Sequence, residues 1–319
     1  MTTLADLAEL VRAPAALSVP GDVIAGAAAA GALSPRTPAL AGASVLLYWA
    51  GMAANDWADR RLDAEERPER PIPSGRVTPA AAVGLAAGLT AAGVGLAAAV
   101  GGRRAAALAV PLAATIWGYD LLAKNTAAGP AVMAACRGLD VLLGASGGRM
   151  ARALPAAATV AAHTWTVTAL SRREVTGADA TLPMRTLAGT ALVAASAAVA
   201  VPGTRRAAPR TADRAGVTDR ADAGPEVAVR PARSRSATIA AVLPAVLAGW
   251  YAARYGAAQA EVVRDPSAGR VRAAVGAGIT GLPALQGALT ARGGAGLLGV
   301  AVAAAAPLGR RLARKVSPT

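Results

Sequence analysis

The sequence predicts an all-α fold, a polytopic bundle of nine or ten transmembrane helices. Three observations point there. Of the 319 residues, 54% are hydrophobic, and the mean hydropathy is +0.42. Uncharged stretches near the roughly 20 residues that cross a bilayer core recur along the whole chain. The charges gather in the intervals between these stretches, whereas a soluble helix would show a polar stripe every few residues. Backbone groups in lipid must bond within their own segment, so such stretches are helices.

In order, the expected spans are 15–33, 38–54, 79–100, 105–122, 130–146, 153–170, 187–201, 237–255, 271–289 and 295–308. The last is short and glycine-flanked, which leaves nine as the other count. The N-terminal stretch is read as a membrane helix and not as a signal peptide. Its first turn carries Asp6 and Glu9 where a secretory n-region is basic, and Asp22 interrupts the apolar run. Residues 204–236 mix eight arginines with four acids and several prolines without periodicity, which reads as a disordered polar insertion. The whole of 1–319 is otherwise expected to form a single domain.

The formal charge of +14 raises the question of nucleic acid. The basic residues flank apolar runs, however, and form neither a stripe nor an RNA-binding motif, so membrane flanking is the better reading and no nucleic-acid partner is expected. Arginine and lysine are denser in the loops that follow the second, fourth and sixth spans, which predicts those loops to be cytoplasmic. The insertion, placed on the other side, opposes this mildly. Cys136 is the single cysteine and His163 the single histidine. A disulfide, a thiolate metal cluster, a zinc site and a Ser-His-Asp triad are thereby unsupported. His163, inside an apolar run, reads as a packed or helix-bonded residue.

All the polar chemistry lies in three loops expected on one side. In the first, Asp56, Asp59 and Asp63 stand at i, i+3 and i+7, so they share one helical face with Asn55 at its edge. Three close carboxylates repel each other unless a cation intervenes. Mg²⁺ suits such a site, taking one or two carboxylates together with phosphate oxygens. The alternative is a solvated loop of mixed charge, given Arg60, Arg61, Glu65 and Glu66. The composition favours a site: the chain has two asparagines, Asn55 and Asn125, and both fall in candidate loops.

In the second loop, Lys124 is one of two lysines among about thirty arginines, a compact charge suited to a phosphate oxygen. The competing reading is a lysine snorkelling at a helix end. Arg137 and Asp140, three apart, can pair within the bundle, and charges inside membrane helices commonly face a cavity. The third loop, 171–179, holds Arg172, Arg173, Glu174 and Asp179. Arg172 or Arg173 can grip phosphate oxygens with a forked guanidinium.

The run Asn55-Asp56-x-x-Asp59-x-x-x-Asp63, followed by Arg70-Pro71-Ile72-Pro73-Ser74-Gly75-Arg76, resembles the first signature of the UbiA superfamily of membrane prenyltransferases. The pattern Tyr119-Asp120-x-x-x-Lys124 with Cys136-Arg137-Gly138-Leu139 resembles the branch found in bacterial ebo-type operons, in which an asparagine stands where this chain has Asp140. Residues 171–179 occupy the place of the superfamily's second aspartate motif, DxxxD, and depart from it, since four residues after Glu174 comes Ala178.

The resemblance implies a helical bundle around a central, lipid-open cavity capped by the polar loops. It implies Mg²⁺ on the catalytic residues Asp56, Asp59 and Asp63, with Glu174 as a further ligand. Substrate-binding roles fall to Asn55, Arg70, Tyr119, Lys124, Arg137 and Arg172. The activity implied is transfer of an isoprenoid group from a polyprenyl diphosphate to an aromatic or lipid-like acceptor, with Tyr119, Trp57 and Trp117 shielding the allylic cation. The alternative is a non-catalytic membrane protein that binds or moves a lipid-linked metabolite. Acceptor identity, isoprenoid length and oligomeric state are not encoded in any motif.

Overall fold

A computed structural model describes residues 2–13, 18–179, 181–199 and 235–305. The helices are α1 (Leu4–Leu10), α2 (Pro20–Ala30), α3 (Thr37–Glu66), α4 (Pro79–Gly118), α5 (Gly129–Gly144), α6 (Met150–Ser171), α7 (Thr181–Ala198), α8 (Arg235–Arg264), α9 (Ala268–Arg292) and α10 (Gly296–Ala305). Each expected span overlaps a helix. The insertion expected at 204–236 lies outside the described residues, except that Arg235 and Ser236 begin α8. The end of the last span, 306–308, lies outside them too.

α4 takes up the expected span 79–100 and most of the span 105–122. Gly102, at φ 66° and ψ −159°, breaks its helical course, and only glycine takes this backbone conformation without strain. Trp117 donates its indole N–H to the Thr90 hydroxyl at 3.0 Å. In one unbroken helix these residues would lie about 40 Å apart. The chain therefore doubles back at Gly102, and its two arms, 79–101 and 103–118, run antiparallel.

Among the described residues two helices, α3 and the long α4 stretch, are long and apolar enough by themselves to cross a membrane. Only 17% of the most apolar window of α4 is buried. Such exposure of Ala, Val and Leu would be costly in water and is neutral in lipid. α2, α5 and α10 are shorter, and several helices turn polar groups into the bundle, among them Arg137 and Asp140 in α5, His163 and Thr166 in α6, and Gln286 and Thr290 in α9.

α2 sits at the centre, against α3, α5, α6 and α9. Its approach to α5 is set by two reciprocal glycines. A Cβ on Gly26 would fall 1.8 Å from the Val141 carbonyl oxygen, and one on Gly144 would fall 2.0 Å from that of Val23. Small residues allow membrane helices this closeness, where packing replaces the missing hydrophobic drive. Gly144→Val is expected to push α2 off α5 and to cut the yield of folded protein several-fold in detergent, read by size-exclusion chromatography. Wild-type yield and melting would show that this contact does not hold the bundle.

α1 lies over the first polar loop. Arg76 reaches back to Asp6 at 2.8 Å and to Glu9 at 2.6 Å. Thr3 caps the helix through Asp6, and these bonds, with Arg76, pull the Asp6 carboxyl down to about 2.

Candidate active site

α3 changes character along one face. Tyr48, Met52, Asn55 and Asp59 follow steps of four, three and four residues, while Trp49, Asp56 and Asp63 follow steps of seven. Both rows lie on one side of the helix. The first half of that side lines a cavity of about 290 Å³, with Tyr119, Met133, Arg137 and His163 across from it. The second half carries the carboxylates, so the acids lie beyond one end of an apolar chamber.

Each carboxylate meets a cation. Asp63 accepts from Arg70 at 2.6 Å, and the same Arg70 nitrogen lies 3.7 Å from Asp56. Asp56 also accepts from Arg12 at 2.7 Å. Lys124 donates to Asp59 at 2.6 Å and to the Asn55 amide oxygen at 3.0 Å. Asp120 is buried beside Gly51 of α3, close to the same charges. Four carboxylates thus face three cations, Arg12, Arg70 and Lys124.

A π-helical turn, Tyr119–Ala123, ends α4 and aims Lys124 at α3, with the Lys124 N–H bonded to the Tyr119 carbonyl at 2.9 Å. Tyr119 turns into the cavity. Arg172 donates to the Thr126 carbonyl and ties the third loop to the second.

Four expectations change. Asp56, Asp59, Asp63 and Glu174 do not form one preassembled metal cluster: among the described residues, no three acidic, histidine or cysteine side chains come together for a metal. Interleaved cations hold the aspartates, and Glu174 belongs to a different loop, where burial pushes its carboxyl up against the opposing charge of Arg272. Asp179 caps α7 instead, accepting from the Leu182 N–H at 2.9 Å and from the Thr181 hydroxyl at 3.0 Å. Those bonds hold its carboxyl below the usual range.

Arg137 does not pair with Asp140. Its partner is Asp22 of α2 at 2.7 Å, while Asp140 accepts from Ser44. Gln286 completes the group by donating to Asp22 at 2.6 Å and to the Ser18 carbonyl at 2.7 Å. The Arg137 guanidinium also lies 5.5 Å from the centre of the Tyr48 ring. Finally, Trp57 and Trp117 do not line the cavity; Trp57 packs under Arg60 at 4.8 Å and Trp117 bonds Thr90. The cavity aromatics are Tyr48, Trp49 and Tyr119. His163 is held between Tyr251, which it meets at 2.8 Å, and Tyr255, and it borders the cavity.

Sequence reasoning missed Arg12, Asp22, Tyr48, Trp49 and Met52, and it quoted Asp120 in a motif without giving it a role. The three α3 residues carried a usable signal, since they continue the carboxylate face backwards at helical spacing. Asp120 follows Tyr119 directly. Arg12 gave no signal, because its partner is 44 residues away.

An apolar chamber in a membrane bundle, ended by acids and cations, defines a class of proteins acting on molecules with a greasy tail and a charged head. The comparisons agree: residues 18–204, more than half of the chain, match the UbiA prenyltransferase family, and the chain belongs to that family. It is 36% identical over 170 residues to a digeranylgeranylglyceryl phosphate synthase of Natronomonas pharaonis, which is 50% of this chain and 61% of that protein. It is 42% identical over 80 residues to the synthase of the same name from Methanothrix thermoacetophila, 24% of this chain and 30% of that one. The chain therefore spans less than two thirds of the length of these curated relatives. Among solved structures, one concerning digeranylgeranylglyceryl phosphate synthase in membranes superposes with a TM-score of 0.63 at 14% identity, covering 91% of this chain and 98% of that one. A UbiA homolog from Aeropyrum pernix K1 superposes with a TM-score of 0.55 at 18% identity, covering 89% and 96%. At these identities the structural likeness shows the fold alone.

Proposed function

We propose that this chain is a single-domain, multi-pass membrane prenyltransferase that moves an isoprenyl group from a polyprenyl diphosphate to a lipid-like acceptor. The observation that carries this reading is the placement of alternating acids and cations beyond one end of the apolar chamber. The glyceryl phosphate named in the relatives is the acceptor type to test first.

The isoprenyl tail would occupy the chamber, and Tyr48, Trp49 and Tyr119 would present π faces to the allylic carbon. Lys124, Arg70 and Arg12 would donate to the diphosphate oxygens. In the reaction the bond from the allylic carbon to the diphosphate oxygen breaks, and its electron pair leaves with the diphosphate. The acceptor's nucleophile bonds to that carbon and gives up its proton. Charge grows on the leaving oxygens, and donors fixed in advance by Asp59, Asn55 and Asp63 stabilise it without reorganising.

The donor set suits Mg²⁺. One Arg70 nitrogen already stands between the Asp56 and Asp63 carboxylates, so the two can share a cation. Asp56 and Asp63, which already share one Arg70 nitrogen, would hold the ion, while Asp59 keeps Lys124 in place; when bound, the ion supplies further positive charge to the leaving diphosphate.

The test is a screen of isoprenoid diphosphates with the purified protein and glyceryl phosphate lipids, read as pyrophosphate release. Release that needs both partners and is lost with a chelator is expected. Tight binding of an unreactive diphosphate analogue without any release would assign a binding protein instead.

The site end is proposed to be cytoplasmic, since Arg60, Arg61, Arg67, Arg76, Lys124, Arg172 and Arg173 crowd its short loops. Cysteines at exposed Ser74 and at exposed Arg104 should therefore label from opposite faces of sealed vesicles, Ser74 from the cytoplasmic one; Cys136 is buried and should stay silent. Labelling of both from one face would require a different threading.

A further inference from the structure

We infer that the end of the bundle opposite the carboxylates holds a groove for an anionic phospholipid. The inference uses no residue assigned to the transfer chemistry and does not depend on it. Thr37 and Asp59 are 22 residues apart on α3, so the two ends are separated by about 33 Å. That is close to the thickness of a bilayer core.

At the Thr37 end three turns gather. The Arg149 N–H donates to the Ala30 carbonyl at 3.1 Å. Gly101 lies beside the side chains of Leu40 and Ser146. The segments 31–37, 101–104 and 145–152 carry Arg36, Arg103, Arg104, Arg149 and Arg152, all exposed, and contain no aspartate or glutamate. The ion pairs among the described residues lie elsewhere, at the site end and in the buried Asp22–Arg137 pair. Among the described residues this rim is thus cationic without the mixed signs of the other end, and it suits an anion.

Directly beneath the rim a second cavity, of about 530 Å³, opens between α2, α3 and α10. Its walls are Ile24, Leu33, Pro38, Ala41, Val45 and Leu298, and its upper edge is Ser34 and Thr37, on either side of Arg36. An apolar trough below an arginine fits an acyl chain below a phosphate, which the guanidinium can hold with two parallel bonds. A zwitterionic headgroup would bring its own cation against five arginines. An anionic one would not, and the rim therefore selects for net negative lipid.

The experiment compares phosphatidylglycerol with phosphatidylcholine added to delipidated protein in detergent, read as lipid retained by native mass spectrometry and as melting temperature. Phosphatidylglycerol is expected to be retained at about one per chain and to raise the melting temperature more than phosphatidylcholine does. Arg36→Gln should weaken phosphatidylglycerol about fivefold and leave phosphatidylcholine unchanged. Gly42→Leu, where the nearest atom to an added Cβ is a Leu96 methyl at 4.0 Å, should fill the trough and reduce retention of both lipids. Arg61→Gln, at the site end, serves as the charge control. Equal retention of the two lipids, an unchanged Arg36→Gln protein, or an equal loss in Arg61→Gln would each overturn the assignment. So would full competition by inorganic phosphate, which needs no trough.

Discussion

Asp59→Asn is expected to lower pyrophosphate release from an isoprenoid diphosphate by about 100- to 1,000-fold, the range for removing one preorganised group at a developing negative charge. Asp59 and Asn55 between them hold the Lys124 ammonium, at 2.6 and 3.0 Å. An amide at position 59 keeps the shape but loses the ionic grip, so Lys124 is no longer fixed in line with the diphosphate. The protein should still fold. The amide keeps an oxygen that can still accept from the Lys124 ammonium, and both side chains retain some contact with solvent, at 25% and 16% for Asp59 and Lys124, so no buried charge is stranded. A melting temperature within a few degrees of wild type, alongside the lost activity, is the expected pair of readings. Lys124→Gln should show a similar loss, and the double variant should be hardly worse than either single one, because both remove the same interaction. Glu65→Gln, exposed on the same helix, is the control that should keep wild-type turnover. Unchanged release in Asp59→Asn would remove this ion pair from the mechanism.

Arg137→Leu should have the largest effect on stability. Asp22 is wholly buried in α2, and its ionic partner is the Arg137 guanidinium at 2.7 Å. Removing one member of a buried pair strands the other charge, at a cost of about 3–5 kcal/mol. Gln286 alone, donating one N–H to Asp22, does not neutralise it. The variant should therefore unfold in detergent well below the wild-type temperature. Adding Asp22→Asn removes the stranded charge and should recover a substantial part of the loss. That rescue separates a stranded charge from simple loss of packing, which Asp22→Asn could not repair. Equal melting of the single and double variants would show that the pair is not what holds α2 to α5.

Much of the architecture was readable because lipid imposes a simple rule, that each crossing segment is apolar and closes its own hydrogen bonds. The ten runs expected from hydropathy each overlap a helix, including the pair at 79–100 and 105–122 that fold back at Gly102. The carboxylate face was also readable, because i, i+3 and i+7 is a local geometric fact of helices. The same rule extended backwards would have found Tyr48, Trp49 and Met52. Spacing could not say which charges meet. Arg137 lies three residues from Asp140, yet its partner is Asp22, more than a hundred residues away. Asp179, out of step with the aspartate motif in the sequence, caps the start of α7.

The sequence by itself determined the solvent this chain folds in, the order of its apolar helical segments, and the helix face that carries the acids. These follow from composition and from the helical repeat, both properties of neighbouring residues. Only the tertiary structure decided how charge is shared, by bringing Arg12, Arg70 and Lys124 to three different aspartates, and which aromatic rings border the chamber. Such pairings depend on distances between segments far apart in the chain. In a low-dielectric interior an ion goes to the partner that packing brings within reach, whatever its distance along the sequence.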